Sequence, residues 1–113
     1  MRGIFDELIK IEGVIGGLLV ARDGLVVQNL MVEDEDAEVL GALAANMFDT
    51  LAKNTQRLGI GPLNDAIVGA RDGSLQMRGA GDLVLIVICQ HPTKLGEVRL
   101  AMSRAAKIVE EEF

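Results

Sequence analysis

Cys89 and His91 stand two residues apart, so on a continued strand both side chains point to the same side. A thiol beside an imidazole is the smallest arrangement for a cysteine nucleophile with its own base. That chemistry also needs a group to orient the ring and donors for an oxyanion, and nothing in the chain identifies either. Cys89 therefore reads as a buried structural thiol at a strand end, and His91, beside Pro92, as a loop residue. They are the only cysteine and the only histidine, too few for a zinc site within one chain.

The glycines offer no nucleotide cradle. No Gly-x-x-x-x-Gly-Lys-[Ser/Thr] occurs, and Gly13-Val14-Ile15-Gly16-Gly17 lacks the lysine and precedes a strand, not a helix. Gly59-Ile60-Gly61 lacks the strand-then-helix setting of a dinucleotide fingerprint. The run Glu33-Asp34-Glu35-Asp36 has neither the spacing nor the glycine of a calcium loop. Acids at a helix start are favoured by its dipole and cap free amides, which accounts for the run. Arg22 and Arg71 sit at matching turns, where such side chains are solvated charges or contacts for a partner. No catalytic, cofactor-binding or metal-ligating residue is assigned, and no cofactor is expected.

Composition narrows the classes further. A chain of 113 residues has room for one core. With three Phe and no Tyr or Trp, it lacks the aromatic platforms on which single-stranded nucleic acid stacks. A net charge of −6 repels a phosphate backbone, so nucleic acid is not an expected partner. One cysteine excludes an internal disulfide and fits a reducing compartment. The N-terminus gains acids at Asp6 and Glu7, unlike a signal peptide. The longest apolar run, Leu83 to Cys89, falls far short of the roughly 18 residues of a membrane span. The expectation is a cytoplasmic protein without membrane insertion.

The elements that hold these residues follow from periodicity. Ala21-Arg22-Asp23-Gly24 recurs as Ala70-Arg71-Asp72-Gly73, and each copy lies between short apolar runs, the pattern of a hairpin closed at Asp-Gly. Ile4, Phe5, Leu8 and Ile9 recur at helical spacing ahead of Gly13, predicting a short amphipathic helix. Val14 to Ala21 and Leu25 to Leu30 make the first hairpin. Ala66 to Ala70, Ser74 to Gly79 and Leu83 to Cys89 give three more strands. The last does not alternate, so it is central and covered on both faces. A final helix follows Thr93, its expected cap, and buries Leu95, Val98, Met102, Ala105, Ala106 and Val109. The expected fold is α+β, a single domain over 1–113. Its order is helix-strand-strand-helix-strand-strand-strand-helix, with one helix on one face of a mostly antiparallel five-stranded sheet and two on the other.

The long pattern between the hairpins, ending near Leu58-Gly59, carries an apolar arc of about half the circumference, wider than the ~100° that one sheet covers. Leu40, Ala44, Met47, Leu51 and Leu58 form one line, the expected sheet-facing stripe. A second line holds Ala37, Gly41, Ala45, Phe48 and Ala52. One reading leaves this second line at the surface as tolerated small residues. The other uses it for self-association: Gly41 and Ala45 give room for a second helix, Phe48 supplies an anchor, and a two-fold dimer sets the patch against itself.

The element order, the Gly13-Val14 start of the first strand, the Asp23-Gly24 and Asp72-Gly73 hairpins, the Leu40 to Phe48 helix rich in Leu and Ala, and the apolar last strand together resemble the Roadblock family. The likeness spans essentially the whole chain. That family includes Roadblock-type dynein light chains and bacterial and archaeal regulators of small Ras-like GTPases. The resemblance implies a homodimer that pairs the third strands, here Ala66, Ile67, Val68, Gly69 and Ala70, and sets the two middle helices side by side. It also implies a GTPase bound across those helices, whose exposed positions here are Glu38, Asn46, Asp49, Thr50, Lys53 and Arg57. GTPase-activating activity is compatible with it, but no arginine finger is assigned from sequence.

The leading expectation is thus a non-enzymatic, homodimeric regulator of a small Ras-like GTPase. The alternatives are a structural adaptor indifferent to nucleotide state, or a small-molecule sensor with a ligand between sheet and helix.

Overall fold

A computed structural model describes residues 3–30 and 33–113. Both Asp-Gly turns close antiparallel pairs, but the glycines do different things. In the first, Asp23 Oδ1 accepts a hydrogen bond from the Leu25 amide at 3.0 Å, and Gly24 takes a φ of +94° that side chains rarely adopt. This turn joins β1 (Val14–Ala21) to β2 (Val26–Leu30). The second joins β3 (Asp65–Gly69) to β4 (Gly73–Ala80), and there a Cβ on Gly73 would collide with the Cys89 carbonyl oxygen. The repeated tetrapeptide is one sequence with two separate steric reasons.

β5 (Leu83–Gln90) runs between β1 and β4, giving the order β2-β1-β5-β4-β3, antiparallel throughout. Its side chains alternate between two cores. Val84 and Ile86 join Leu18, Val20 and Met77 under α1 (Asp34–Arg57). Leu85, Val87 and Cys89 join Val14, Leu19 and Ala80 under α2 (Leu95–Glu112). A strand apolar on both sides needs a layer on each, which is why Leu83–Ile88 shows no polar alternation.

The N-terminal segment shares the α2 side: Ile4, Phe5 and Leu8 are buried in that core, and Glu7 pairs with Arg104 of α2 at 2.8 Å. Of the expected amphipathic helix, a 3-10 turn over Leu8–Lys10 is present, preceded by turns. Three apolar contacts hold it without a continuous helical ladder. Thr93 is not the cap of α2. Lys94 occupies that position with no side-chain hydrogen bond. Glu33 is the N-cap of α1, also without a side-chain bond. The side chains of Asp34 and Glu35 lie outside the described residues.

The orientation of α1 departs from expectation. Ala37, Gly41, Ala44, Ala45 and Phe48 face the sheet, whereas Leu40, Met47 and Leu51 are only partly buried and Leu58 is exposed. A Cβ on Gly41 would come within 2.9 Å of the Gly24 carbonyl oxygen and 3.1 Å of Val26, so the helix rests almost on the backbone of the first hairpin. Small residues set this close seating, and Phe48, 1% exposed, fills the space beside Gly79.

Phe48→Ala is expected to lower the unfolding free energy by about 3–5 kcal/mol through the cavity it leaves. Gly41→Ala, which overpacks the helix–hairpin contact, is expected to cost about 1–3 kcal/mol. Both are read from denaturant midpoints at fixed protein concentration; wild-type midpoints would contradict this seating of α1.

Candidate interaction surface

Because the small residues of α1 turn inward, its larger ones are left at the flank. Val39 and Leu43 are 61% and 58% exposed, with Met47 and Leu51 half-buried on the same side. Asn46, Met47, Thr50 and Leu51 line an open hollow of about 350 Å³ whose other wall is Val68 of β3. The apolar flank of the helix and the edge strand are thus one continuous surface.

β3 pairs with β4 on one side only, so its other edge presents unpaired backbone groups. Ile67, Val68 and Gly69, along with Ala70 just beyond the strand, are exposed, while Ala66 is partly buried. On α1, Glu38, Asn46, Asp49, Thr50, Lys53 and Arg57 are all exposed and form a polar arc bordering the apolar flank. Lys53 and Asp49 pair at 2.9 Å, an exposed bridge that holds neither side chain firmly.

The helix residues expected at a self-association face need correction. Gly41, Ala45 and Phe48 lie against the chain's own sheet, and Ala52 is half-buried. No second helix reaches the first three while α1 stays seated. The helix residues available to a partner are Val39, Leu43, Met47 and Leu51. Helical spacing gives the angles between side chains but not which direction is inward. The usable signal was the pairing of Gly41 with Gly24, two residues without side chains at a close approach.

Cys89 and His91 do not form a reactive pair. Cys89 is 2% exposed, while His91 is exposed and its amide donates to the Asp72 carbonyl oxygen at 3.0 Å. Burial pushes the Cys89 thiol above its ordinary value, and the hydroxyls of Ser74 and Thr93 offset this only in part. A thiol so penalised for ionising is a poor nucleophile at neutral pH. Among the described residues no group of three or more His, Cys, Asp or Glu side chains is placed to hold a metal, and no helix is long and apolar enough to cross a membrane.

The sequence model of the Roadblock/LC7 domain matches residues 3–90. The chain is 33% identical over 107 residues to the protein designated "Uncharacterized protein MJ1340" of Methanocaldococcus jannaschii, covering 95% of this chain and 94% of that one. The fold is similar to a Roadblock/LC7 domain from Streptomyces avermitilis, with a TM-score of 0.89, 20% identity, and 99% and 92% of the two chains covered. It is similar also to MglB of Myxococcus xanthus, with a TM-score of 0.85, 21% identity, and coverage of 97% and 88%.

In native buffer at pH 8, a thiol–disulfide reagent is expected to leave Cys89 unlabelled and to label it at once in denaturant. The folded thiol ionises above its ordinary value of 9.0, so the unfolded chain loses its proton first. The contribution of Cys89 to stability is therefore full below that pH and declines as pH rises past it. A Cys89→Ala variant, with no thiol to ionise, is expected to lose less stability than wild type over that alkaline range. Rapid native labelling would contradict the burial.

Proposed function

The chain belongs to the Roadblock/LC7 domain family, and on that footing we propose that it works as a homodimeric platform for a small Ras-like GTPase. It acts by binding and by shifting the partner's nucleotide state rather than through a catalytic residue of its own. The observation that carries this reading is the continuous surface formed by the apolar flank of α1, the unpaired edge of β3 and the bordering polar arc.

Dimer formation pairs the two β3 edges and brings Val39, Leu43, Met47 and Leu51 of the two α1 helices together. A two-fold axis satisfies the open backbone groups and covers the apolar flank with the same patch from the second copy. Each large apolar side chain fully removed from water there contributes about 1.5–3 kcal/mol, enough for a few residues to decide association. The polar arcs of both helices then share one side of the assembly, where Glu38, Asn46, Asp49, Thr50, Lys53 and Arg57 meet the GTPase. A partner bound better in one nucleotide state is shifted toward that state by the difference in affinity. A cytoplasmic setting fits this reading, since a single free Cys89 suits a reducing compartment.

Leu43→Glu is expected to convert a dimer to a monomer in size-exclusion chromatography with light scattering, with the fold retained by circular dichroism. A persistent dimer would remove α1 from the interface. Tagged wild-type protein is expected to capture a small GTPase from its source lysate in one nucleotide state, with GDP or a non-hydrolysable GTP analogue in excess. The Lys53→Glu, Arg57→Glu double variant, still dimeric, is expected to capture at least about tenfold less. Equal capture in both states would make the protein a scaffold.

A further inference from the structure

The two Ala-Arg-Asp-Gly turns differ in what becomes of their arginines. Among the described residues Arg71 pairs with its neighbour Asp72 alone, at 3.2 Å, and its side chain is 91% exposed. Arg22 is held by two elements distant in sequence. Its guanidinium lies over the Phe48 ring, 5.1 Å from the centroid, and one of its N–H groups donates to the Gly81 carbonyl oxygen at 3.3 Å. A guanidinium over an aromatic face is drawn to it by a cation–π attraction, and one hydrogen bond leaves most of its donors unused.

Beside this arginine is a hollow of about 260 Å³ between the first hairpin, the C-terminal half of α1 and the connector to β3. Arg22, Lys53 and Gln56 supply its polar groups, and Phe48, Ala52, Pro62 and Leu63 its apolar ones. Its volume is below the roughly 300 Å³ at which pockets for drug-sized ligands begin, so it holds one or two side chains and not a nucleotide. Among the described residues the only acid paired with either cation is Asp49, on the exposed Lys53. In a chain of net charge −6, two cations line one hollow together with apolar side chains.

We propose that this hollow is a docking site for a short acidic segment of a protein partner, with a carboxylate in the fork of Arg22 and an adjacent aliphatic side chain against Ala52, Pro62 and Leu63. Planar guanidinium matches carboxylate with two parallel hydrogen bonds, and Lys53 adds a second, mobile positive charge. The site lies on the side of the seated stripe of α1 opposite to its apolar flank, so it stays open whether or not the flank is covered. It shares Lys53 with the arc proposed to meet the GTPase, whereas Arg22, Pro62 and Leu63 lie outside that arc. Arg22→Met is expected to leave GTPase capture unchanged, which separates the two readings.

The test is a titration of ¹⁵N-labelled protein with acetyl-Leu-Glu-Glu-Leu-amide, acetyl-Leu-Gln-Gln-Leu-amide and sodium acetate. The glutamate peptide is expected to shift the amide signals of Arg22, Lys53, Gln56 and Leu63 saturably. The glutamine peptide and acetate are each expected to bind about tenfold more weakly. Arg22→Met is expected to weaken the glutamate peptide about tenfold, and Lys53→Met severalfold. Arg71→Met, the same change at the other turn, is expected to leave binding as it is. Should Arg22→Met fail to fold, the Lys53→Met and Arg71→Met pair decides alone. Equal binding of the two peptides, saturation by acetate at the same concentration, shifts on another face, or no saturable shift each overturns the proposal. So does an Arg71→Met variant as weak as Lys53→Met. Shifts of the same signals with the protein's own concentration would assign the hollow to a second copy and overturn it too.

Discussion

Helix α1 can rest on the sheet only where two backbones approach without side chains between them, at Gly41 against Gly24. Much else is arranged around that seating. Ala37, Ala44 and Ala45 keep the helix low, and Phe48 is the one bulky group admitted, in the space beside Gly79. Leu40, Met47 and Leu51 pack only at the margin of this core, and Val39 and Leu43 are displaced to the outside. An inward face made of small residues therefore produces an outward flank made of large ones. The flank ends against Val68, so helix and edge strand present one surface.

Much of this architecture is legible in the residues. The non-alternating Leu83–Ile88 run shows a strand buried on both sides, and the Asp-Gly pairs show where the chain reverses. Both features are local, with periods and turn chemistry that need no knowledge of the third dimension. The orientation of α1 is not local. A helical wheel distinguishes lines of residues, and the usual preference for burying leucine over alanine centres the buried face on the wrong one: Leu40, Met47 and Leu51 pack only at its margin. Close approach inverts that preference, and it depends on Gly24, far away in sequence. The N-terminal segment shows the converse: Ile4, Phe5 and Leu8 sit at helical spacing, yet their contacts with the α2 core are met by turns and a short 3-10 helix.

The candidate surface was readable in part for the same reason. Its polar arc follows from helical periodicity, whereas the pairing edge of β3 is implied by the resemblance to the Roadblock family and not by the residues themselves. Of the apolar residues available to a partner, Met47 and Leu51 fall on the line expected to face the sheet and Val39 and Leu43 on neither line, while Gly41, Ala45 and Phe48, expected to face the partner, are held by the sheet. Arg22 illustrates a further limit. Its tetrapeptide is identical to that around Arg71, so only the ring of Phe48 and the carbonyl of Gly81 distinguish an oriented guanidinium from a solvated one.

The central place of β5 also governs when the structure can come into being. β5 is the last strand in the chain, yet it lies between β1 and β4, so the two hairpins are not joined until it arrives. During synthesis the β1–β2 and β3–β4 turns can close early through contacts near in sequence. Neither of the two cores has its floor before residue 90 has emerged. The first hairpin thus waits with an open edge while the segment from α1 to β5 is made, and joining it to the second requires contacts between residues about seventy positions apart, the kind that slows folding.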